Sequence, residues 1–527
     1  MNAGAPAVSL PDWPGSRAGL TTPVLGLATW LRRVAERHPH RPAITCDERT
    51  WTYAELQQRV EAMAAVLAAQ GLQAGDRVGY LGFNHPLFLV ALHACARLNA
   101  IFVPLNFRLS GPEIAFIAED AGLRVLLADA AHRPVVDGIR DGLRCPCYLA
   151  LDGEAPGWAT LPALDRPAAA VPAEQPTAPD DVALIMYTSG TTGHPKGAML
   201  THGNFWTNNL NGILSNGLRC EDVVLNFAPL FHVGGLCSVS MPAMQAGAHL
   251  VLHRAWDAEA VMHDIARHRV SVTFAVPSML LFMSQHPGFG AADLSSLRTI
   301  AVGGAPMPLP LLQRYAERGI PVNQGFGMTE TTATVSLLIP ERSIDKLGSC
   351  GTPALLTEVC LKDYEGRLIT EPHQRGELCI RGGNVMRGYW NRPDATAAAF
   401  DDEGWFHSGD VAYVDEDGFY FICDRLKDMV ISGGENVYPA EVESVLYRHP
   451  AVAEVAVIGA PDERWGERVV AVAALKPGEQ LTLEALQAFA RQELAGYKLP
   501  RELRIVDALP RNPTGKVLKA RLRQPAP

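Results

Sequence analysis

Between positions 188 and 197 the chain reads Thr-Ser-Gly-Thr-Thr-Gly-His-Pro-Lys-Gly, a run with three glycines, four hydroxyls and one lysine. Gly190 and Gly193 let backbone N–H groups approach phosphate oxygens, the hydroxyls of Thr188, Ser189, Thr191 and Thr192 add donors, and Lys196 supplies a cation. By composition this is phosphate chemistry. A polar turn is the plainer alternative, and the density of donors weighs against it. The run is not a Walker loop, because Lys196 is followed by Gly197 rather than by Ser or Thr.

The elements that must position this loop are legible around it. Residues 182–187 form an apolar strand that ends at the loop. Earlier, Thr52 and Glu55 make a capping box, Leu56, Val60, Met63 and Leu67 line one helical face, and Gly71 stops the helix. A strand over 77–81, a helix over 85–98 and a strand over 101–104 follow with short links, which is a βαβ unit. Further strands are expected over 223–227, 249–252, 271–274 and 299–302, alternating with helices such as 258–267 and 309–318. The Pro- and Ala-rich stretch 165–180 must be a surface connection, since its prolines would break either ladder. The expected fold class is α/β, with one large N-terminal domain of helix-covered sheets over 1–424. A compact α+β C-terminal domain is expected over 428–527, with helices near 440–447 and 483–494 and strands near 454–458 and 469–475.

Composition narrows the function classes. Of 527 residues, 48% are hydrophobic and 19% charged, as in a folded globular protein. The 46 Lys and Arg against 56 Asp and Glu leave a net charge of −10 without a long basic block, which argues against a nucleic-acid partner. Ten cysteines, spread from Cys46 to Cys423 without a C-x-x-C pair, read as reduced thiols of a cytoplasmic protein. The first 20 residues lack the basic start and apolar core of a secretory signal. No transmembrane segment is expected; the most apolar stretch, 87–105, carries His93 and Arg97 and reads as a buried helix running into a strand. Periodicity does not decide whether the helix over 87–98 faces its own core or a partner subunit, so a homodimer stays open.

Residues 187–200, from the tyrosine before the loop to the Ala-Met-Leu after it, resemble the signature loop of the ATP-dependent adenylate-forming, or AMP-binding, superfamily. That superfamily comprises acyl-CoA synthetases, peptide-synthetase adenylation domains and luciferases. Asn-Gln-Gly-Phe-Gly-Met-Thr-Glu at 323–330 resembles its second nucleotide motif, and Ser-Gly-Asp at 408–410 its ribose-binding motif. Asp-Arg-Leu-Lys-Asp at 424–428 resembles its interdomain hinge, and Pro-Thr-Gly-Lys at 513–516 the segment that presents its catalytic lysine. The matches keep the family's order and, with flanking similarity, run from about Leu25 to Arg523.

The resemblance implies a role for each position. A carboxylate attacking the α-phosphate of ATP builds charge that must be neutralised, and Lys516 is the implied catalytic cation, where a solvated tail lysine would be the bland alternative. Glu330 would hold Mg²⁺, a hard cation that wants oxygen ligands. Asp410 would accept the ribose hydroxyls, with Arg425 reaching the same sugar; a Gly-Asp turn and a surface ion pair are the respective alternatives. Phe326, between Gly325 and Gly327, would lie against adenine or else pack in the core, while Gly304, Ala305, Gln324 and Thr329 complete the nucleotide lining. Phe231 and His232 would stand at the mouth of the acid pocket, with His232 counted as catalytic and a satisfied core histidine as the alternative. Val302, Gly304, Phe326 and Met328 would make the rest of that pocket apolar. Amino-acid-activating relatives place an aspartate where this chain has His232, which disfavours an amino-acid substrate. For coenzyme A, Gly433 and Gly434 would wall the pantetheine tunnel, Trp465 would pack on pantetheine, and Lys498 and Arg501 would meet phosphates. Leu499 stands where some aryl-CoA ligases carry another basic residue. A mobile C-terminal domain turning at Lys427, within the hinge 425–428, is implied because Lys516 and Gly433 serve different steps.

The expected activity is an ATP-, Mg²⁺- and CoA-dependent ligase that converts a small carboxylic acid, a fatty acid before an aryl acid, to its acyl-AMP and then its thioester. An acyl-AMP ligase loading a separate carrier protein is an alternative. A peptide-synthetase module is disfavoured because the sequence ends soon after Lys516. A silent nucleotide-binding regulator is the non-enzyme alternative, opposed by the joint presence of Lys196, Glu330, Asp410, Arg425 and Lys516.

Overall fold

A computed structural model describes residues 26–168, 170–188, 195–305, 307–426, 428–432, 435–462, 464–511 and 517–523. Among the described residues the strands fall into four sheets. In the nine-stranded sheet, the strands Val223–Asn226, His249–Leu252, Val272–Ala275, Thr299–Val302 and Val322–Phe326 run parallel. The eight-stranded sheet is parallel from Ile101–Leu105 through Arg77–Leu81 and Leu123–Ala128 to Cys147–Ala150. On its other side it ends in the antiparallel hairpin Val182–Thr188 and Lys196–Thr201, with Gly388–Tyr389 added at the edge. Helices between the two sheets supply the main core.

Local sequence explains the key elements. Thr52 accepts from the Glu55 amide while Glu55 reaches back to the Thr52 amide, so the helix Tyr53–Ala69 starts at the expected capping box. The helix Pro86–Arg97 is buried all round, Phe88, Leu89, Val90, Leu92 and His93 alike, so it faces its own chain's core. Burial pushes the His93 imidazole down to about 4, and its neutral ring donates from Nδ1 to the Leu89 carbonyl at 2.8 Å. The stretch 165–180 runs over the surface as expected, and Glu174 ties it down by pairing with Arg32 at 3.2 Å and accepting from the Thr29 hydroxyl.

Residues 357–425 differ from the helix-covered pattern expected as far as 424. They form a five-stranded antiparallel sheet, in the order Leu368–Ile369, Thr357–Lys362, Gly376–Gly382, Phe406–Val414, Tyr420–Arg425. Its tight turns carry the signal: Asp363 Oδ1 accepts from the Glu365 and Arg367 amides, Asp415 Oδ1 from those of Asp417 and Phe419, and Gly366 and Gly418 take φ +78° and +83°. The fourth sheet joins Glu435–Val437, Val430–Ser432, Gly466–Leu475 and Val452–Asp462, with Glu502–Ile505 parallel to Gly466–Leu475.

Where Val322–Phe326 leaves the nine-stranded sheet, the chain reverses to pair antiparallel through Ser336–Leu337. Thr332 and Ala333 take φ +55° and +100°, a strained pair for residues with a Cβ. Gly327 accommodates the turn: a Cβ there would lie 1.2 Å from the Ala333 carbonyl oxygen. Gly327→Ala is therefore expected to destabilise the fold by the ~1–3 kcal/mol of an overpacked site and so to lower the thermal midpoint. Gly142→Ala, where a Cβ meets nothing within 4 Å, should leave the midpoint unchanged or raise it slightly. Equal shifts in calorimetry would show that the turn is not fixed by this contact.

Candidate active site

The loop residues Ser189, Gly190, Thr191, Thr192 and Gly193 lie outside the described residues, but the strands that present the loop do not. Thr188 and Lys196 face each other across the hairpin as ladder partners. The Lys196 ammonium sits 4.9 Å from the centre of the Tyr389 ring, and the Tyr389 hydroxyl donates to Glu330 Oε1 at 2.9 Å. Glu330 is 8% exposed, in a short turn over Thr329–Thr331, and its carbonyl accepts the Met386 amide at 2.7 Å. Burial and then the Glu330 charge push the Tyr389 phenol well above its ordinary range, while the Arg425 guanidinium opposes them. Tyr389 was not singled out from sequence; its signal was an aromatic pair, Tyr389 and Trp390, in a Gly- and Arg-rich loop.

Buried asparagines hold the turn that carries Glu330. Asn208 accepts the Thr334 amide at 3.0 Å, and Asn384 donates to the carbonyls of Thr331 at 3.2 Å and Thr334 at 2.8 Å. Asn204 and Asn208 lie on the helix His202–Asn216, and Asn204 donates to the Gly383 and Val385 carbonyls at 2.8 and 2.7 Å. An asparagine-rich helix is a weak helix former, which was the sequence signal that these side chains serve backbone partners.

Asp410 and Arg425 are ladder partners on neighbouring strands. Arg425 Nε donates to Asp410 Oδ1 at 3.0 Å, and the carboxylate is nearly buried whereas the guanidinium is about a third exposed. Gly409, at φ +71°, turns the strand, and its carbonyl accepts the Leu426 amide at 2.9 Å. The structure thus brings Glu330, Lys196 and Arg425 into one electrostatic neighbourhood around Tyr389.

Gly304 takes φ +84° just beyond the strand Thr299–Val302, and Ala305 follows it. Gln324 is buried and accepts the Met307 amide at 2.9 Å, so its amide braces this loop. Phe326 is half-buried against the main core beside Gly325, in the strand next to Thr299–Val302.

His232 caps the short helix Val233–Gly235, its Nδ1 accepting the Gly234 amide at 3.2 Å, which leaves the proton of the neutral ring on Nε2. A π-helical turn over Leu236–Ser240 follows, a geometry common at functional sites. Phe231 meets Phe107 edge-on at 5.2 Å, and Phe107 packs on Phe83 at 4.9 Å and His132 at 5.2 Å. The Phe274 ring lies against Gly234 and Gly303, where added Cβ atoms would meet it at 2.9 and 3.4 Å.

Further along the chain, Lys498 pairs with Glu441 at 2.5 Å. Arg501 lies 4.6 Å over the Trp465 ring, with Arg464 at 4.8 Å from the same ring. Lys427, Gly433, Gly434 and Lys516 fall outside the described residues. Lys519 bonds the partly buried Glu443 at 2.8 Å; burial opposes its charge, but Glu443 and Asp424 hold its pKa above the ordinary value. Burial raises the Asp424 carboxyl pKa, with Lys519 opposing, while Asp424 accepts from the Arg425 and Ala440 amides, both at 2.7 Å.

A profile described as AMP-binding enzyme matches residues 31–390, and one described as AMP-binding enzyme C-terminal domain matches 441–516. A feruloyl-CoA synthase of Amycolatopsis sp is 45% identical, with 95% of this chain and 99% of that protein covered. A long-chain-fatty-acid–CoA ligase of Mycobacterium tuberculosis is 40% identical, covering 90% and 92%. The solved o-succinylbenzoate CoA synthetase of Bacillus subtilis, in complex with its acyl-adenylate intermediate, superposes with a TM-score of 0.83 at 37% identity, covering 94% of this chain and 98% of that one. The chain belongs to the AMP-binding enzymes, as an acid–thiol ligase of the adenylate-forming superfamily.

Proposed function

We propose that the protein joins an aromatic carboxylic acid to coenzyme A in two steps, activating the acid with ATP as an acyl-adenylate and then transferring the acyl group to the CoA thiol. The observation that carries the acid class is the aromatic cluster of Phe83, Phe107, Phe231 and His132 beside His232. Ring faces and edges select another ring over a flexible chain. Two of the similar proteins named above, the feruloyl-CoA synthase and the o-succinylbenzoate CoA synthetase, support the same class. A fatty acid is the second reading, favoured by the 40% identical long-chain ligase and by the partly buried apolar side chain of Met328.

In this proposal Lys196 and the hydroxyls of Thr188, Ser189, Thr191 and Thr192 hold the phosphates of ATP. Phe326 with the 304–305 backbone takes adenine, and Asp410 with Arg425 takes the ribose. Glu330 fits a hard cation: it is a buried carboxylate whose orientation Tyr389 fixes. Bound there, Mg²⁺ would neutralise phosphate charge. Lys516 stabilises the charge that grows on the transferring phosphate, and His232 orients the acid. Residues 1–424 act as the nucleotide and acid domain and 428–527 as a small domain turning at Lys427, which exchanges Lys516 for the Gly433 and Gly434 wall. Trp465, Lys498 and Arg501 then meet CoA, and Lys498 must first leave Glu441. The ten free thiols support the reducing cytoplasm as the place of work; among the described residues no helix is long and apolar enough to cross a membrane.

AMP release measured on hydroxycinnamic, arylacetic and straight-chain acids, with and without CoA, should peak with an aromatic acid and require CoA. A maximum on a long-chain acid would move the substrate to the second reading, and pyrophosphate exchange without CoA-dependent product would make a carrier protein the acceptor. Lys516→Ala should slow adenylation by about 10²–10³ while leaving thioester formation from supplied acyl-AMP intact; wild-type adenylation would remove Lys516 from the mechanism. Tyr389→Phe keeps the ring under Lys196 but deletes the bond to Glu330. It should lower kcat/KM for ATP by about ten- to a hundredfold, the ~1.5–3 kcal/mol of a hydrogen bond to a charged group. An unchanged value would show that Glu330 needs no such support.

A further inference from the structure

One row of side chains outside the nucleotide site has the donor set of a metal centre. Cys360, Cys379 and His407 are successive ladder partners across three strands of the antiparallel sheet, Cys360 opposite Cys379 and Cys379 opposite His407. Glu377 stands two residues before Cys379, and its Oε2 accepts from His407 Nδ1 at 2.8 Å. Cys379 Sγ lies 3.7 Å from His407 Nδ1, and the ligand atoms of Glu377, Cys379 and His407 all fall within 4.8 Å of one another. Tetrahedral zinc with ordinary Zn–S and Zn–N bonds places sulfur and nitrogen about 3.6 Å apart. The observed pair therefore needs almost no adjustment, and the Nδ1 to Oε2 distance must open by only about half an ångström.

The surroundings also suit an ion. Cys379 is fully buried, which excludes competing water from the sulfur. His407 Nε2 faces Asp401 Oδ2 at 3.5 Å, the carboxylate that orients a metal-bound imidazole through its other nitrogen. Lys362, the nearby cation, has its charge paired by Asp401 at 2.6 Å and Glu403 at 3.0 Å. A cleft of about 340 Å³ lined by Glu377, His407, Lys362, Tyr364 and Leu426 gives a way in from solvent.

We propose that Glu377, Cys379 and His407 bind a thiophilic divalent cation of the zinc class. On binding, the Cys379 thiol gives its proton to solvent. The His407 proton shifts from Nδ1 to Nε2, toward Asp401. Glu377 keeps its other oxygen on the Gly409 amide, now at 3.0 Å, so the ion would brace the loop that carries Asp410.

The test uses the full chain, freed of metal, titrated with Co²⁺. One equivalent should bind with a thiolate-to-cobalt charge-transfer absorption and the visible bands of a tetrahedral site, and Zn²⁺ should displace it. Cys379→Ser should lose the charge-transfer band. His407→Gln, which leaves all ten thiols in place, should bind Co²⁺ at least about tenfold more weakly. Absence of the thiolate band in the wild-type protein, the same band in Cys379→Ser, or unchanged cobalt affinity in His407→Gln would each overturn the site. The readout is spectroscopic, so it stands whether or not the aromatic-acid activity does.

Discussion

The turn over residues 328–334 must hold a carboxylate in place without a regular hydrogen-bond ladder, and the rest of the site is arranged around that constraint. Backbone groups in such a turn need partners, because a buried N–H or C=O without one costs ~1–3 kcal/mol. Asn208 and Asn384 supply them from a helix and from the loop after the strand Gly376–Gly382. Thr332 adds its hydroxyl to the Asn384 carbonyl at 2.8 Å, and Asn384 in turn accepts from Thr357 at 2.9 Å. A polar seam therefore joins the edge of the nine-stranded sheet, the helix His202–Asn216 and the antiparallel sheet. Two strained residues persist there because their surroundings over-determine them.

With that turn fixed, the electrostatics follow from short links. Tyr389 comes from a strand paired to the hairpin that ends at Lys196, and it reaches Glu330 at the edge of the other large sheet. Tyr389 thus stands between the Lys196 cation and the Glu330 carboxylate, its ring toward one and its hydroxyl on the other. At Asp410 the guanidinium of its ladder partner pairs directly with one carboxylate oxygen. Such charge interactions are stronger in a partly buried site than in water.

Sequence made the parallel strands and the buried helix after residue 85 legible, because hydrophobic period is a local signal. The helix Pro86–Arg97 read as buried from its composition alone, yet which neighbour covered it required the three-dimensional contacts. The sheet over 357–425 was passed over although its Asp–Gly turns were present, because its strands alternate weakly and carry Cys, Glu and Arg among the apolar residues. Tyr389, Asn208 and Asn384 were invisible for a different reason: their partners lie 59, 126 and up to 53 residues away. No window along the chain contains both halves of such a bond. The 231–234 segment illustrates the intermediate case, since the side-chain cap of His232 on Gly234 is local but the aromatic partner of Phe231, Phe107, is not.

The contacts that cross the 425–428 segment bear on how the two parts of the chain could move. Asp424 accepts the Ala440 amide at 2.7 Å, Arg375 meets Glu441 at 3.5 Å and lies 4.3 Å over the Tyr438 ring, and Asn436 donates to the Tyr364 hydroxyl at 3.3 Å. Apart from Asp424 these are partly exposed polar contacts, of the kind worth about 0–1 kcal/mol each. Water can replace most of them when they part. The fourth sheet has its own apolar cluster around Val430, Val442, Val457 and Leu486, which does not depend on the large sheets. Among the described residues, these polar contacts between the two separately packed cores are thus mostly weak ones. Asp424 is the exception that gives the present arrangement its preference. It joins the strand that ends at Arg425 to the start of the helix Pro439–Leu446, and Lys519 shares its buried environment. A change of conformation within 425–428 would have to uncouple this one carboxylate, so Arg425 and the start of the helix Pro439–Leu446 are tied to the same polar contact.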